Sequence, residues 1–226
     1  MRSRAASSVA APSVAVRAVR KRRTQAQRSA EMRERILDAA VRKLGDKGYA
    51  GFRTADVATE AGVSKGALTH HYASKDALVM AALEHVFRKA SERGQQRATR
   101  VRSIDSAIQS LLNDSRDFFF SDLFLIAVDV AILGGRDTPN GEQLNAISRA
   151  HRLPVEAAWL QALIDAGVPG KLAEDLLWLT ISIVRGLAIR RLLADDPPRF
   201  ERLLKLWRSM VADYLRTHGA KKARDE

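Results

Sequence analysis

The sequence predicts an all-α fold, and three observations carry that expectation. Ala, Leu and Arg recur at intervals of three and four through long stretches, which is helical spacing. Strongly alternating β-branched runs are absent, and over 226 residues there are only 13 Gly and 6 Pro. The clearest Gly and Pro groups fall at junctions between periodic stretches, where helices stop and start. About nine helices are expected. The expected organisation is a basic arm over 1–23, a helix-turn-helix domain over 24–78, a helical effector-binding and dimerisation domain over 79–217, and a flexible tail over 218–226.

The first helix is expected from about Gln27 to Leu44, with Met32, Ile36, Ala39, Ala40 and Leu44 on one apolar stripe. It ends in the stretch from Gly45 to Gly51, and Phe52 anchors the crossing. Thr54 is expected to cap the second helix, whose seam is Val57, Ala58 and Ala61; Gly62 stops it. Ser64 caps a third helix only two residues later, so the two must cross steeply as a helix-turn-helix. Val63 and Leu68 pack inward, leaving Lys65, Thr69 and His70 as candidate base and phosphate contacts. Ser74 caps a long fourth helix with Asp76 in its first turn, where the helix dipole favours negative charge. This helix links the reading head to the rest of the chain and is the natural lever.

Five more helices are expected at about Ile104 to Phe120, Asp122 to Leu133, Gly141 to Ala166, Lys171 to Leu193 and Arg199 to Thr217. Gly134, Gly135 and Pro139 break one junction, and Gly167, Pro169 and Gly170 the next. Asp196 ahead of Pro197 and Pro198 reads as a cap and first turn. Pro154 is expected to kink or split its helix near His151.

Charge is uneven. Of the net +12, residues 1–27 carry +7, from Arg2, Arg4, Arg17, Arg20, Lys21, Arg22 and Arg23 with no acid. Residues 28–78 carry +2, from nine basic against seven acidic side chains. The first 23 residues lack a core-forming pattern and are expected to be disordered. They read as a solvated tail, as a basic arm following the DNA backbone or entering the minor groove, or as a targeting peptide, though no apolar segment suited to secretion is present. No apolar run is long enough to span a bilayer, and no membrane partner is expected. The chain has no cysteine, which excludes disulfides and thiolate metal sites and is compatible with the cytoplasm.

Residues Arg28 to Leu83 resemble the DNA-binding domain of the TetR family of bacterial transcriptional regulators. The matches are Thr54, Val57-Ala58, Ala61-Gly62-Val63-Ser64, Gly66-Ala67-Leu68, His71-Tyr72 and Lys75-Asp76-Ala77-Leu78. One departure is Thr69, where the family usually places a phosphate-holding Tyr; Tyr72 stands in place of Phe. The resemblance implies a cytoplasmic homodimer, most often a repressor, bound to a palindromic double-stranded DNA operator and released by a small-molecule effector. Together the outward face and the matched positions give an expected DNA-binding set of Arg53, Thr54, Ser64, Lys65, Gly66, Thr69, His70, Tyr72 and Lys75.

Dimerisation has independent support. Phe200, Leu203, Leu204, Trp207, Val211, Tyr214 and Leu215 recur at three and four, while Leu206 and Met210 add a second apolar side. The preceding helix repeats the feature, with Ile181 and Val184 central and Trp178, Ile183 and Leu192 flanking. A helix apolar on more than one side needs two partners, either a second chain or its own core. The expected interface is Ile181, Val184, Leu203, Trp207, Met210 and Tyr214. For an effector pocket the candidates are His85, Phe120, Phe124, Asp129, Trp159 and Arg185. Asp129 lies within an apolar run and is expected either to pair with Arg185 or Arg136 or to face a cavity.

No enzyme constellation is present. Gly62-Val-Ser-Lys-Gly is a helix-turn-helix turn and no phosphate loop, and there is no HExxH. His70 and His71 are adjacent, so their side chains diverge from a regular helix. Neither a catalytic site, a cofactor nor a metal is expected. The other functional class considered is an architectural DNA-binding protein without an effector; some 145 residues of bundle beyond the head argue against it.

Overall fold

The computed structural model describes residues 24–133 and 138–222, apart from the side chains of Asp129, Ile132, Leu133 and those from position 218 onward. The basic arm, Gly134, Gly135 and Arg136 lie outside the described residues.

The described residues form nine helices and no strand: α1 (Gln25–Gly51), α2 (Thr54–Ala61), α3 (Lys65–His71), α4 (Lys75–Ala98), α5 (Ile104–Phe119), α6 (Asp122–Leu133), α7 (Pro139–Asp165), α8 (Gly170–Arg190) and α9 (Pro197–Lys222). Thr24 and Gln27 close a reciprocal capping box at the start of α1, satisfying two otherwise unpaired backbone N–H groups. Past Lys47 the helix is broken at Gly48, whose φ of 62° suits glycine. The expected stop therefore holds, but helical turns continue on both sides of it.

Thr54 is not the cap of α2. It is the first helical residue, Arg53 occupies the cap position without a side-chain bond, and the Arg53 carbonyl accepts from Asp56 and Val57 N–H. Burial of Phe52 sets this register. Gly62 stops α2 in the left-handed region (φ 64°, ψ 41°), and Val63 N–H donates to the Ala58 carbonyl at 3.0 Å, the long closing bond of a Schellman turn. Ser64 Oγ and Ser74 Oγ accept from the backbones of Ala67 (3.1 Å) and Ala77 (3.0 Å), capping α3 and α4. Asp196 likewise accepts from Arg199 N–H at the start of α9.

Two further expectations differ from the structure. Pro154 neither splits nor interrupts α7, which is continuous from Pro139 to Asp165. Pro154 and Ala150, whose carbonyl loses its partner, are both exposed, so water can take up the freed acceptor. The final helix passes Thr217 and continues to Lys222, into the expected tail.

The head packs α1 against α2 and α4, while α4 lies along α7, and α5, α7, α8 and α9 complete the bundle. At the α4–α7 crossing, a Cβ added to Gly94 would meet Val155 Cγ1 at 2.9 Å and Asp114 Oδ2 at 3.0 Å. Nothing larger than glycine fits without moving a stiff β-branched side chain, so the crossing is tight and α4 cannot slide freely over α7.

Candidate DNA-reading head and effector cavity

The outer face of the helix-turn-helix presents Arg53, Ser64, Lys65, Gly66, Thr69 and His70 to solvent, with Thr54 partly covered. Leu68 and Val63 are turned into the core. The acids of α2 point away from this face. Glu60 pairs with Arg42 and Lys43 of α1, and Asp56 with Lys47 at 2.6 Å. The effect is to leave the reading face cationic. Thr69 Oγ1 donates to the Lys65 carbonyl at 2.9 Å, so its proton is engaged within the helix.

Tyr72 and Lys75 do structural work behind that face. Tyr72 is half-buried beside Arg33 and Glu34 of α1, and burial holds its phenol above the usual range. Lys75 Nζ donates to the Tyr49 carbonyl at 2.8 Å and sits 4.5 Å from the Tyr49 ring centroid. Tyr49 in turn donates its hydroxyl to Asp76 at 2.6 Å. Together these bonds lock the start of α4 to the end of α1.

A second lock lies further along α4. His85 is buried, and its Nε2 is 3.1 Å from Asp38 Oδ1 of α1, while Arg88 Nη2 is 3.2 Å from its Nδ1. A guanidinium only donates, so Nδ1 accepts and Nε2–H donates to Asp38. Lys89 Nζ also reaches Asp38 at 3.1 Å. Burial alone would raise the Asp38 carboxyl, but the hydrogen bonds from Lys89 and His85 outweigh it and hold the group below its ordinary value. Glu34, Asp38 and His85 have the spacing of metal ligands, yet Arg88 and Lys89 already fill the cluster with positive charge. It is an ion-pair network joining head to lever. His85 therefore belongs here and not to an effector pocket.

Beside it, α4, α5, α6 and α7, with Arg185 of α8, line an open cavity of about 310 Å³. Phe87 of α4 packs edge-on against Phe118 at 5.1 Å between centroids, and Phe124 of α6 against Phe119 at 5.0 Å. Arg149, Arg152 and Arg185 supply its basic side and Glu156 one acid. Of the expected pocket residues, Phe124 and Arg185 line this cavity. Phe120 does not: it faces Phe200 and borders a separate hollow of about 200 Å³ against α9. Trp159 is also absent from the wall, being buried behind it with Nε1 donating to Asp114 at 3.1 Å. The side chain of Asp129 lies outside the described residues.

On α8 and α9 the exposed apolar side chains include Trp178 (63% exposed), Leu206 (54%), Met210 (56%) and Tyr214, with Leu192 in the turn between the two helices. Gly186 on the outer side of α8 has open space around it. Ile181 and Val184 are not among these exposed residues, being buried within the chain itself. Leu203 and Trp207 are half-covered, and Trp207 Nε1 donates to Thr180 of α8 at 3.1 Å.

The family model of bacterial regulatory proteins of the tetR family matches residues 36–82, which span the helix-turn-helix. The HTH-type transcriptional regulator CymR of Pseudomonas putida is 41% identical over 183 residues, covering 81% of this chain and 90% of that protein. The chain belongs to the TetR family. Among solved structures, a TetR-family regulator from Mesorhizobium loti MAFF303099 superposes with a TM-score of 0.64 at 17% identity, over 84% of this chain and 98% of that one. A transcriptional regulator from Saccharomonospora viridis, in complex with choline, superposes at 0.61 with 20% identity, over 84% and 97%. The protein is thus a DNA-binding transcriptional regulator, and no described helix is long and apolar enough to cross a membrane.

For this TetR-family chain, sequence reasoning missed Phe87, Arg149 and Arg152 on the cavity wall. The signal available was the α7 stripe Asn145, Ser148, Arg149, Arg152 and Glu156, polar at helical spacing. Such a stripe ordinarily faces water, and only the arrival of α5 and α6 turns part of it inward.

Proposed function

We propose that this regulator is a homodimeric repressor that binds a palindromic operator and is released by a small molecule entering the α4–α7 cavity. The observation that carries the reading is the double duty of α4. His85 and Lys89 hold Asp38 of the head, while Phe87, between them, forms part of the cavity wall. Both functions fall within two turns of one helix, and α6, which lines the cavity, also packs on α1. A ligand that displaces Phe87 or α6 must therefore strain the clamp on the head. Changed separation of two heads breaks their match to successive major grooves, which lie about 34 to 36 Å apart. The choline-bound Saccharomonospora viridis protein agrees with a small molecule as the kind of effector.

In this reading Lys65 and His70 contact bases or phosphates, and Arg53, Thr54, Ser64 and Gly66 flank them on the exposed face. Thr69 holds a phosphate only by giving up its bond to the Lys65 carbonyl, because phosphate oxygens accept and do not donate. Tyr72 and Lys75 act by fixing the head on α4. The test is a titration of wild type, Lys65→Ala and His70→Ala against DNA from upstream of the protein's own gene and its neighbours. Each substitution should cost about 1 to 3 kcal/mol where it removes a base contact, with helicity and assembly unchanged. Equal affinity in all three proteins would remove these residues from DNA reading.

A further inference from the structure

The cavity holds a cation without a described counter-ion. The Arg152 guanidinium carbon lies 4.2 Å from the Phe118 ring centroid and 5.5 Å from that of Phe119. Among the described residues no carboxylate comes within ion-pair distance of it. Asp114, the acid whose charge most supports it, is already engaged, accepting from Trp159 Nε1 at 3.1 Å and from Arg97 at 3.3 Å. Burial pushes the Arg152 guanidinium below its ordinary range, opposed by Asp114 and Glu156. Arg149 and Arg185 stand on the same wall, so among the described lining residues three arginines face one glutamate, a balance of +2.

Desolvating a guanidinium against aromatic rings is costly unless an anion meets it. Stacking on a ring occupies its face and leaves its N–H fork free for in-plane bonds, the geometry that matches two carboxylate oxygens. The remainder of the wall is mainly apolar, with Phe87, Phe119, Phe124 and Leu144 buried or half-buried. At about 310 Å³ the cavity is at the lower end of the range of about 300 to 1,000 Å³ typical of small-molecule sites. We infer that the effector is a small organic monocarboxylate, its apolar body seated on the phenylalanines and its carboxylate held by Arg152. This rests on the assignment of the cavity as the effector site. Glu156, on the same wall, disfavours a second negative charge.

The test uses the full-length protein and a charge series of similar shape: benzoate, benzamide and benzylamine, with octanoate for an aliphatic body and inorganic phosphate as a bare anion. Binding is measured by calorimetry and by the shift of the thermal midpoint. Wild type should bind benzoate or octanoate and prefer benzoate to both of its uncharged and cationic counterparts. Arg152→Met, which keeps an apolar stem, should lose about 10- to 100-fold in carboxylate affinity, as expected for a lost charge-assisted bond. Arg152→Lys should retain an intermediate affinity. DNA binding by the wild type without ligand is measured in parallel, so failure of the ligand class is separated from failure of the regulator reading. The inference is overturned if benzamide or benzylamine binds as well as benzoate, if neither carboxylate binds, if phosphate alone binds as tightly, or if folded Arg152→Met keeps wild-type affinity.

Discussion

The pair Leu206→Glu and Met210→Glu is expected to split the proposed dimer while leaving the single chain folded. The two residues lie one helical turn apart on α9 and are 54% and 56% exposed in the isolated chain. Fully burying a Leu or Met side chain is worth about 1.5 to 3 kcal/mol, so roughly half of that, or ~1 kcal/mol, is at stake at each site. A twofold interface counts each site twice, giving ~4 kcal/mol, or about a thousandfold in the dimer dissociation constant. Introducing four carboxylates at one interface adds desolvation and repulsion to that loss. Because both side chains project outward, circular dichroism should be unchanged. Trp207, by contrast, is tied to Thr180 inside the protomer, so substitution there would mix two effects. Sedimentation should show a monomer and a titration should show most DNA affinity lost. A folded variant with an unchanged dimer constant would refute the assignment of this face.

Two further outcomes follow from charge. Deleting residues 1–23, which carry seven Lys and Arg and no acid, should lower affinity for specific and nonspecific DNA alike and flatten the dependence of log affinity on log salt; equal slopes would make the arm a bystander. Asp38→Ala should destabilise the folded protein at neutral pH. Because the folded-state carboxyl lies below its ordinary 3.8, its contribution is present above that value and disappears as pH falls through the lower folded-state value. Urea denaturation of both proteins across that range should show the difference shrinking with acidity, and a pH-independent difference would mean that the clamp is not electrostatic.

Much of the fold is legible in the sequence where local chemistry decides it. The start of α6, the Gly62 turn and the caps at Ser64, Ser74 and Asp196 depend on residues within one turn of each other. Assigning faces is harder. The α8 pattern shows that the helix is apolar on more than one side, but it does not say that Ile181 and Val184 face inward while Trp178 faces out. Consecutive phenylalanines separate for a similar reason. Residues about 100° apart on a helix meet different neighbours, so Phe118 and Phe119 reach the cavity while Phe120 turns toward α9. His85 reads as a pocket residue until α1 is placed beside it. Nothing local marks Arg152 for the cavity wall, where α5 brings Phe118 beneath it. These are contacts between segments distant in the chain, and no local spacing encodes them.

That two copies of this chain read duplex DNA through α3 is the step on which the proposed regulation depends. It is tested most directly by incubating the full-length protein with a pool of random DNA duplexes, recovering the bound fraction through successive rounds and sequencing it. The expected result is enrichment of an inverted repeat whose half-sites are centred about one helical turn, 10 to 10.5 base pairs, or a multiple of it apart. Enrichment of a single unrepeated site, or of no sequence at all, would contradict it.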